Sequence, residues 1–301
     1  MRRRSLILLA VVTAAILPRA MGARQIEIQN NFKYNSGQDV QPVFEGWSKS
    51  ADGGFLMHFG YLNRNYVEEL SIPVGPANSV EPGGPDRGQP AFFYTRTNRN
   101  LFRVAVPRDW GQKELIWTIT ANGKTEKAYG WLQPEWEIDP AGGASSGGRQ
   151  DQDALRNKPP TIAVAPVSSV MLSNPLTLNA TVTDDGLPKP TPEKKPALGQ
   201  ETPPILQGGA DAPVNVPQVA GPTRGQPGAR PPQGPTVTWM VWRGPASAAF
   251  DPRVVTVKDG KAQTTAVFSK PGEYVLRARA SDRLLTADRD VTVTVTPVAA
   301  P

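Results

Sequence analysis

The stretch Leu176-Thr177-Leu178-Asn179-Ala180-Thr181-Val182-Thr183 decides the fold of the C-terminal part of this chain. Its apolar side chains alternate with Thr and Asn, which predicts a strand with one face in a core and the other in water. The same period of two returns in three later segments: Val237, Trp239 and Val241; Tyr274, Leu276, Ala278 and Ala280; and Val291, Val293 and Val295. Repeated half-buried strands between turn signals predict an all-β architecture.

The N-terminal part follows the same logic with shorter runs. Phe102, Val104 and Val106 share one face, and Asn122-Gly123 supplies a strong hairpin turn. We expect strands at 54–62, 67–74, 101–106, 115–120 and 125–132. The sequence therefore predicts two β-sandwich domains, because a sheet with one apolar face must cover that face with another layer.

Composition divides the chain. Residues 141–158 are rich in Gly, Ser and polar side chains and contain no aromatic residue, which is typical of a flexible linker. The predicted organisation is a signal peptide at 1–23, a β-sandwich at 24–140, the linker at 141–158 and a second sandwich at 159–297. Within the second sandwich, residues 186–235 hold 13 Pro and 8 Gly and no aromatic side chain, which predicts a long disordered insertion.

The first 23 residues predict export. Three arginines precede an apolar run of about a dozen residues, and small residues close the segment. An uncleaved anchor is the alternative, but a bilayer core needs about 20 apolar residues in a helix. We expect cleavage after Gly22 or Ala23, no membrane span afterwards, and a secreted protein, periplasmic or extracellular.

Charge and residue counts exclude several functions. Without the four arginines of the signal segment the formal net charge falls from +6 to +2, and the remaining basic residues form no stripe, so we expect no nucleic-acid partner. The absence of Cys excludes disulfides and thiolate chemistry. The single histidine, His58, makes a catalytic triad improbable and two-His metal centres impossible. No nucleophile, base and orienting group can be assembled, which predicts a non-enzymatic protein.

Five segments of the C-terminal part form a recognisable pattern: Pro159-Pro160-Thr161, the strand 176–183 with its turn, Val237-Thr238-Trp239, Pro271-Gly272-Glu273-Tyr274 and Ala280-Ser281-Asp282. They give this part of the chain a resemblance to a PKD-type or related bacterial Ig-like domain. It implies an extracellular β-sandwich that serves as a spacer or interaction module, with a core Trp and a tyrosine corner. The long insertion and Arg283 depart from the pattern. The N-terminal part resembles uncharacterised secreted bacterial proteins, which implies no activity.

Two sites are candidates for ligands. Asp184, Asp185 and Asp282 end strands whose loops emerge at one end of an Ig-like sandwich, so they could hold Ca²⁺, the one cofactor that the sequence suggests. The alternative is that these carboxylates only cap turns. Trp110, in the predicted loop 107–111, and Trp47, which follows Glu45-Gly46, are expected to be exposed and are candidates for stacking on sugars.

The preferred function is surface contact with a protein or polysaccharide at the cell envelope. The insertion 186–235 then serves as a spacer or as a partner-docking arm in polyproline conformation. The second hypothesis is a carbohydrate-binding accessory module that uses exposed aromatic side chains of the N-terminal domain.

Overall fold

The computed structural model describes residues 33–138, 152–167, 169–189 and 234–298. The predicted signal peptide at 1–23, most of the predicted linker and most of the Pro-rich insertion lie outside the described residues. A single short helix, Gln152–Arg156, falls within the predicted linker. No helix in the described part of the chain has the length and apolarity to cross a bilayer.

The N-terminal domain is a sandwich of two three-stranded antiparallel sheets. One sheet has the order β1-β2-β6 and the other the order β4-β7-β8, while β3 and β5 form a small separate pair. The strands are β1 (Val40–Lys49), β2 (Phe55–Asn63), β3 (Leu70–Ser71), β4 (Asn78–Glu81), β5 (Phe92–Phe93), β6 (Arg96–Val106), β7 (Leu115–Ala121) and β8 (Lys124–Gly130).

Aromatic rings fill the space between these two sheets. The ring of Trp117 on β7 meets Phe102 on β6 edge-on, with centroids 4.9 Å apart, and meets Phe59 on β2 at 6.1 Å. All three side chains are at most 4% exposed. These rings each bury a large apolar area, so a domain without disulfides can close its core through packing alone.

The C-terminal domain is a sandwich with the strand order of an immunoglobulin fold. A four-stranded sheet has the order β13-β15-β11-β9 and a five-stranded sheet the order β10-β17-β16-β12-β14. These orders match the D-E-B-A and G-F-C sheets, with β10 and β14 as added edges. The strands are β9 (Thr161–Val164), β10 (Ser169–Met171), β11 (Leu176–Thr183), β12 (Thr236–Arg243), β13 (Ala248–Asp251), β14 (Val254–Thr256), β15 (Lys261–Phe268), β16 (Gly272–Ser281) and β17 (Thr286–Thr296).

Two expected core features of this sandwich are present. Trp239 on β12 is fully buried. Tyr274 opens β16 and donates its hydroxyl to the carbonyl of Lys270, at 2.9 Å, four residues upstream. That bond ties the corner before the strand to the strand itself, as a tyrosine corner does. The all-β prediction with two sandwich domains is confirmed.

The two sandwiches are docked onto each other. The backbone N–H of Ala91 donates to the carbonyl of Trp242 at 2.9 Å, which joins the end of β5 to β12. On the same strand, the N–H of Val241 donates to the Tyr94 hydroxyl at 2.7 Å, in a buried position. The linker prediction alone gives no hint of this docking.

Candidate functional site

The acidic residues 184 and 185 serve the turn in which they lie. One oxygen of Asp184 accepts the N–H of Gly186 at 3.1 Å. Asp185 accepts the N–H of Leu187 at 3.0 Å with one oxygen and that of Lys158 at 3.1 Å with the other. Asp side chains commonly stabilise turns by accepting such amides.

Asp282 is the most buried of the three candidate calcium ligands, at 3% exposure. One of its oxygens accepts the N–H groups of Leu284 and Leu285, each at 2.7 Å. The other accepts the side-chain amide of Asn157 at 2.9 Å. The carboxylate therefore holds the β16–β17 loop and fixes the segment that enters the second sandwich.

These three carboxylates do not gather into a cation site within the described residues. Burial raises the pKa of Asp184, and the negative charges of Asp282 and Asp185 add to that rise, so the three carboxylates interact electrostatically. Yet no three His, Cys, Asp or Glu side chains of the described residues are placed to hold a metal ion. The observed bonds are those of the alternative, in which Asp side chains cap turns. Asp184, Asp185 and Asp282 therefore do not form the predicted Ca²⁺ site.

The exposure expected of Trp47 and Trp110 is wrong. Trp47 is 6% exposed, and its indole N–H donates to the carbonyl of Gln133 at 2.7 Å. Trp110 is 7% exposed, and its indole N–H donates to the carbonyl of Lys113 at 2.7 Å. Both rings are buried, and each indole N–H is satisfied by a carbonyl that a sequence pattern does not reveal.

Trp47 instead anchors a segment that crosses β1, which we call the strap (residues 133–138). The strap contains a 3₁₀ turn at Pro134–Trp136, and its Ile138 N–H donates to the carbonyl of Trp47 at 2.8 Å. It crosses at Gly46, whose φ of +124° coincides with a register shift in β1. A Cβ at Gly46 would lie 2.6 Å from the carbonyl oxygen of Trp136, so glycine is required for this close approach.

Two Trp side chains, one on the strap and one just before it, are not among the site residues predicted from the sequence. Trp136 is 39% exposed and Trp131 is half-buried. The two rings stack with centroids 5.6 Å apart, and Trp136 also stacks on Phe44 at 5.3 Å. A usable signal was the pair of Trp residues on either side of Pro134, since a Pro cannot continue a sheet ladder and its presence indicates a loop between the two rings.

Polar contacts also cross the interface between the sandwiches. Arg243 on β12 donates to both oxygens of Asp86, at 2.9 and 2.8 Å, and to the carbonyl of Gln89. This guanidinium bond holds the pKa of Asp86 below its usual range. Ser71 donates its hydroxyl to the carbonyl of Gly244 at 2.7 Å. The bidentate pair fixes an orientation as well as a contact.

A cleft of about 640 Å³ lies beside this interface, between the outer face of β1-β2-β6 and the β16–β17 turn. Three arginines line it. Arg279 pairs with Asp288 and also donates to the carbonyls of Asn100 and Leu101 across the interface. Arg99 and Arg103 are exposed, and neither guanidinium forms a hydrogen bond or ion pair with a described residue.

Two carboxylates of the described residues offset part of this charge: Asp288, which pairs with Arg279, and Glu45, which lies near Arg99. Burial raises the pKa of Glu45, although the N–H of Asn100 and the charge of Arg99 act in the opposite direction. The cleft therefore presents an excess of positive charge. Clefts of one sign attract ligands of the other, here carboxylates or other anions.

His58 also borders the cleft, and it is uncharged at neutral pH. It is 5% exposed, and its Nε2 lies 2.8 Å from the hydroxyl of Ser48. Burial, with a smaller contribution from Arg103, lowers the pKa of His58 to about 4. The Ser48 side chain is only 1% exposed, so its oxygen cannot reach a substrate carbonyl. This pair is a satisfied structural contact between β1 and β2.

Comparisons with known proteins place the chain in no family. No protein-family model matches it, and no curated protein does. Among solved structures, domains 4 and 5 of the S-layer protein SbsC align at 11% identity and a TM-score of 0.24, over 62% of this chain and 66% of that chain. Two titin domains in complex with telethonin align at 10% identity and a TM-score of 0.24, over 86% and 98%. Sidekick-1 immunoglobulin domains align at 8% identity and a TM-score of 0.22, over 86% and 50%. Such weak likenesses carry no functional argument, and the β-sandwich fold rests on the strand order of this chain.

Proposed function

We propose that this chain is a secreted, non-enzymatic contact module that presents one fixed surface to a protein at the cell envelope. The observation that carries the proposal is the docking of the two sandwiches. Tyr94 and Arg243 bond across the interface through buried or bidentate contacts. Fixed loops on rigid sheets lose less entropy on binding than loops on domains that move independently.

The arginine cleft supports a partner with acidic side chains. Arg99 and Arg103 have no counter-charge bonded to them among the described residues, and the cleft lies where both sandwiches contribute to its walls. A partner that inserts carboxylates there contacts both domains at once. Its affinity would fall at high salt, because exposed charges are screened.

The experiment that tests this function is capture from the native envelope fraction. The mature protein is immobilised, and the captured proteins are compared with those taken by an Arg99→Glu/Arg103→Glu variant. A matched control, Arg108→Glu/Lys127→Glu, makes the same charge change at exposed positions outside the cleft. The function predicts a partner that the control retains and the cleft variant loses. Identical capture by all three proteins would refute it.

A further variant in the same experiment tests the role of the Pro-rich insertion. Deletion of 190–233, which keeps the amides bonded by Asp184 and Asp185 and the Pro235 carbonyl bonded by Val257, leaves capture intact if the insertion is a spacer and abolishes it if the insertion is a docking arm. Secretion is tested separately by N-terminal sequencing of the protein recovered from envelope and medium, which should begin at Ala23 or Arg24.

Carbohydrate binding is the second candidate function. Trp47 and Trp110 no longer support it, since both are buried. Trp136, which is exposed on the strap, and the half-buried Trp131 just before the strap supply the aromatic faces that the hypothesis requires. Loss of binding to a polysaccharide in strap variants, with protein capture unchanged, would favour this candidate.

A further inference from the structure

The strap and the loop before β7 enclose a surface groove of about 380 Å³, which we call the strap groove. Its walls combine the aromatic ring of Trp131 with the polar side chains of Gln112, Glu114 and Gln133. Trp136 stacks on Trp131 and continues the aromatic surface beyond the groove.

We infer that the strap groove is a binding site for a neutral polysaccharide. The inference rests on the second candidate function above and names its site and ligand class. Sugar rings present flat apolar C–H faces bordered by hydroxyl groups. A site for them therefore needs exposed aromatic faces together with donors and acceptors at the rim.

The aromatic faces are held in place before any ligand arrives. The carbonyl of Gln133 accepts the indole N–H of Trp47 at 2.7 Å and the backbone N–H of Trp136 at 3.0 Å. The side-chain oxygen of Gln133 accepts the indole N–H of Trp131 at 2.9 Å. Because these bonds and the stack on Phe44 fix the rings, binding costs little further ordering.

The polar groups of the groove favour an uncharged ligand. Gln112 and the side-chain amide of Gln133 offer donors, and Glu114 offers acceptors, all suited to hydroxyl groups. Among the residues that the structure describes, no Lys or Arg lines the groove, and the nearby Lys113 lies over the Trp110 ring, 5.7 Å from its centroid. The Glu114 carboxylate disfavours uronic or sulfated sugars. This chemistry separates the strap groove from the arginine cleft.

The test uses the full mature protein and three neutral hexasaccharides, cellohexaose, xylohexaose and hexa-N-acetylchitohexaose, with polygalacturonate as the anionic comparator. Binding is measured by calorimetry and by tryptophan fluorescence. We expect at least one neutral hexasaccharide to bind and polygalacturonate not to bind at this site.

Variants assign the binding to the strap. Trp136→Ala should weaken it about tenfold or more, as removal of an aromatic anchor does, and Trp136→Phe should retain part of it. Tyr34→Ala is the matched control, because Tyr34 is an exposed aromatic residue in the chain preceding β1. An unfolded Trp136→Ala protein would be recognised by its circular dichroism, and Glu114→Gln then serves as the second variant, with an expected loss of a few-fold.

The inference is overturned if none of the three neutral sugars binds, if only polygalacturonate binds, or if Tyr34→Ala and Trp136→Ala weaken binding equally. Protein capture by the arginine cleft is measured on the same preparations. Capture that persists without sugar binding removes this inference and leaves the contact function standing. Sugar binding without cleft-dependent capture removes the contact function and leaves this inference standing.

Discussion

At the scale of single residues, His58 makes the free energy of unfolding depend on pH. Its pKa of about 4 lies below the usual 6.5, so the unfolded chain binds a proton between these values that the folded chain does not. Stability from this group is complete above about pH 6.5 and is lost as the pH falls toward 4. The full difference amounts to about 3 kcal/mol.

The matching prediction concerns His58→Gln, which keeps a polar group beside Ser48 and removes the titration. We expect the drop in unfolding free energy from pH 6.5 to pH 4 to be smaller in this variant by up to about 3 kcal/mol. Urea unfolding at several pH values measures it. If the free energy of unfolding depends on pH in the same way in both proteins, the pKa of His58 is not lowered in the native state, which would contradict the prediction.

A second residue-scale prediction tests the tyrosine corner. Tyr274→Phe removes the hydroxyl that donates to Lys270 and should lower the free energy of unfolding by about 1 kcal/mol. Tyr129→Phe, which removes a hydroxyl from a side chain that is 44% exposed, should change it by less than about 0.5 kcal/mol. If chemical denaturation shows the same loss of stability in both variants, the Tyr274 hydroxyl does not stabilise the corner.

At the scale of elements, the strap depends on the glycine that it crosses. Gly46→Ala places a Cβ 2.6 Å from the Trp136 carbonyl and strains a backbone with positive φ. We expect a loss of at least about 2 kcal/mol. Gly53→Ala has a positive φ but open space around its Cβ and should lose only about 1 kcal/mol. A Gly46→Ala protein no less stable than Gly53→Ala would mean that the strap is not seated on β1.

Elements with strict alternation were predictable from sequence. The pattern at 176–183 coincides with β11, and the predicted strand at 115–120 is one residue shorter than β7. The strand β1 was missed because the bulge at Gly46 breaks its alternation. The predicted strand at 67–74 shrinks to Leu70–Ser71, because its partner β5 is only two residues long.

Site residues were less predictable, because a single sequence shows neither which loops meet nor which carbonyls they offer. The sequence predicts that Trp47 and Trp110 are exposed, yet both indole N–H groups are bonded inside the fold. The docking did leave a signal. Trp239, Met240, Val241 and Trp242 form an unbroken apolar run, which indicates a strand covered on both faces. All four are at most 8% exposed.

At the scale of the whole molecule, the docked interface should make the two sandwiches unfold together. Tyr94→Phe leaves the buried N–H of Val241 without its acceptor. We expect a loss of about 1–3 kcal/mol in overall stability. Calorimetry should show one transition in the natural protein and two in the Tyr94→Phe/Arg243→Ala variant. Two separate transitions in the natural protein would contradict the coupling.

The most direct test of the docked arrangement is a distance measurement between the sandwiches. The chain has no Cys, so Lys127→Cys and Thr181→Cys, both at exposed strand positions, place one spin label on each domain. Pulsed electron paramagnetic resonance should give a single narrow distance distribution that broadens when Tyr94→Phe and Arg243→Ala are added. A broad distribution in the natural background, unchanged by those substitutions, would show two independently moving domains and contradict the account.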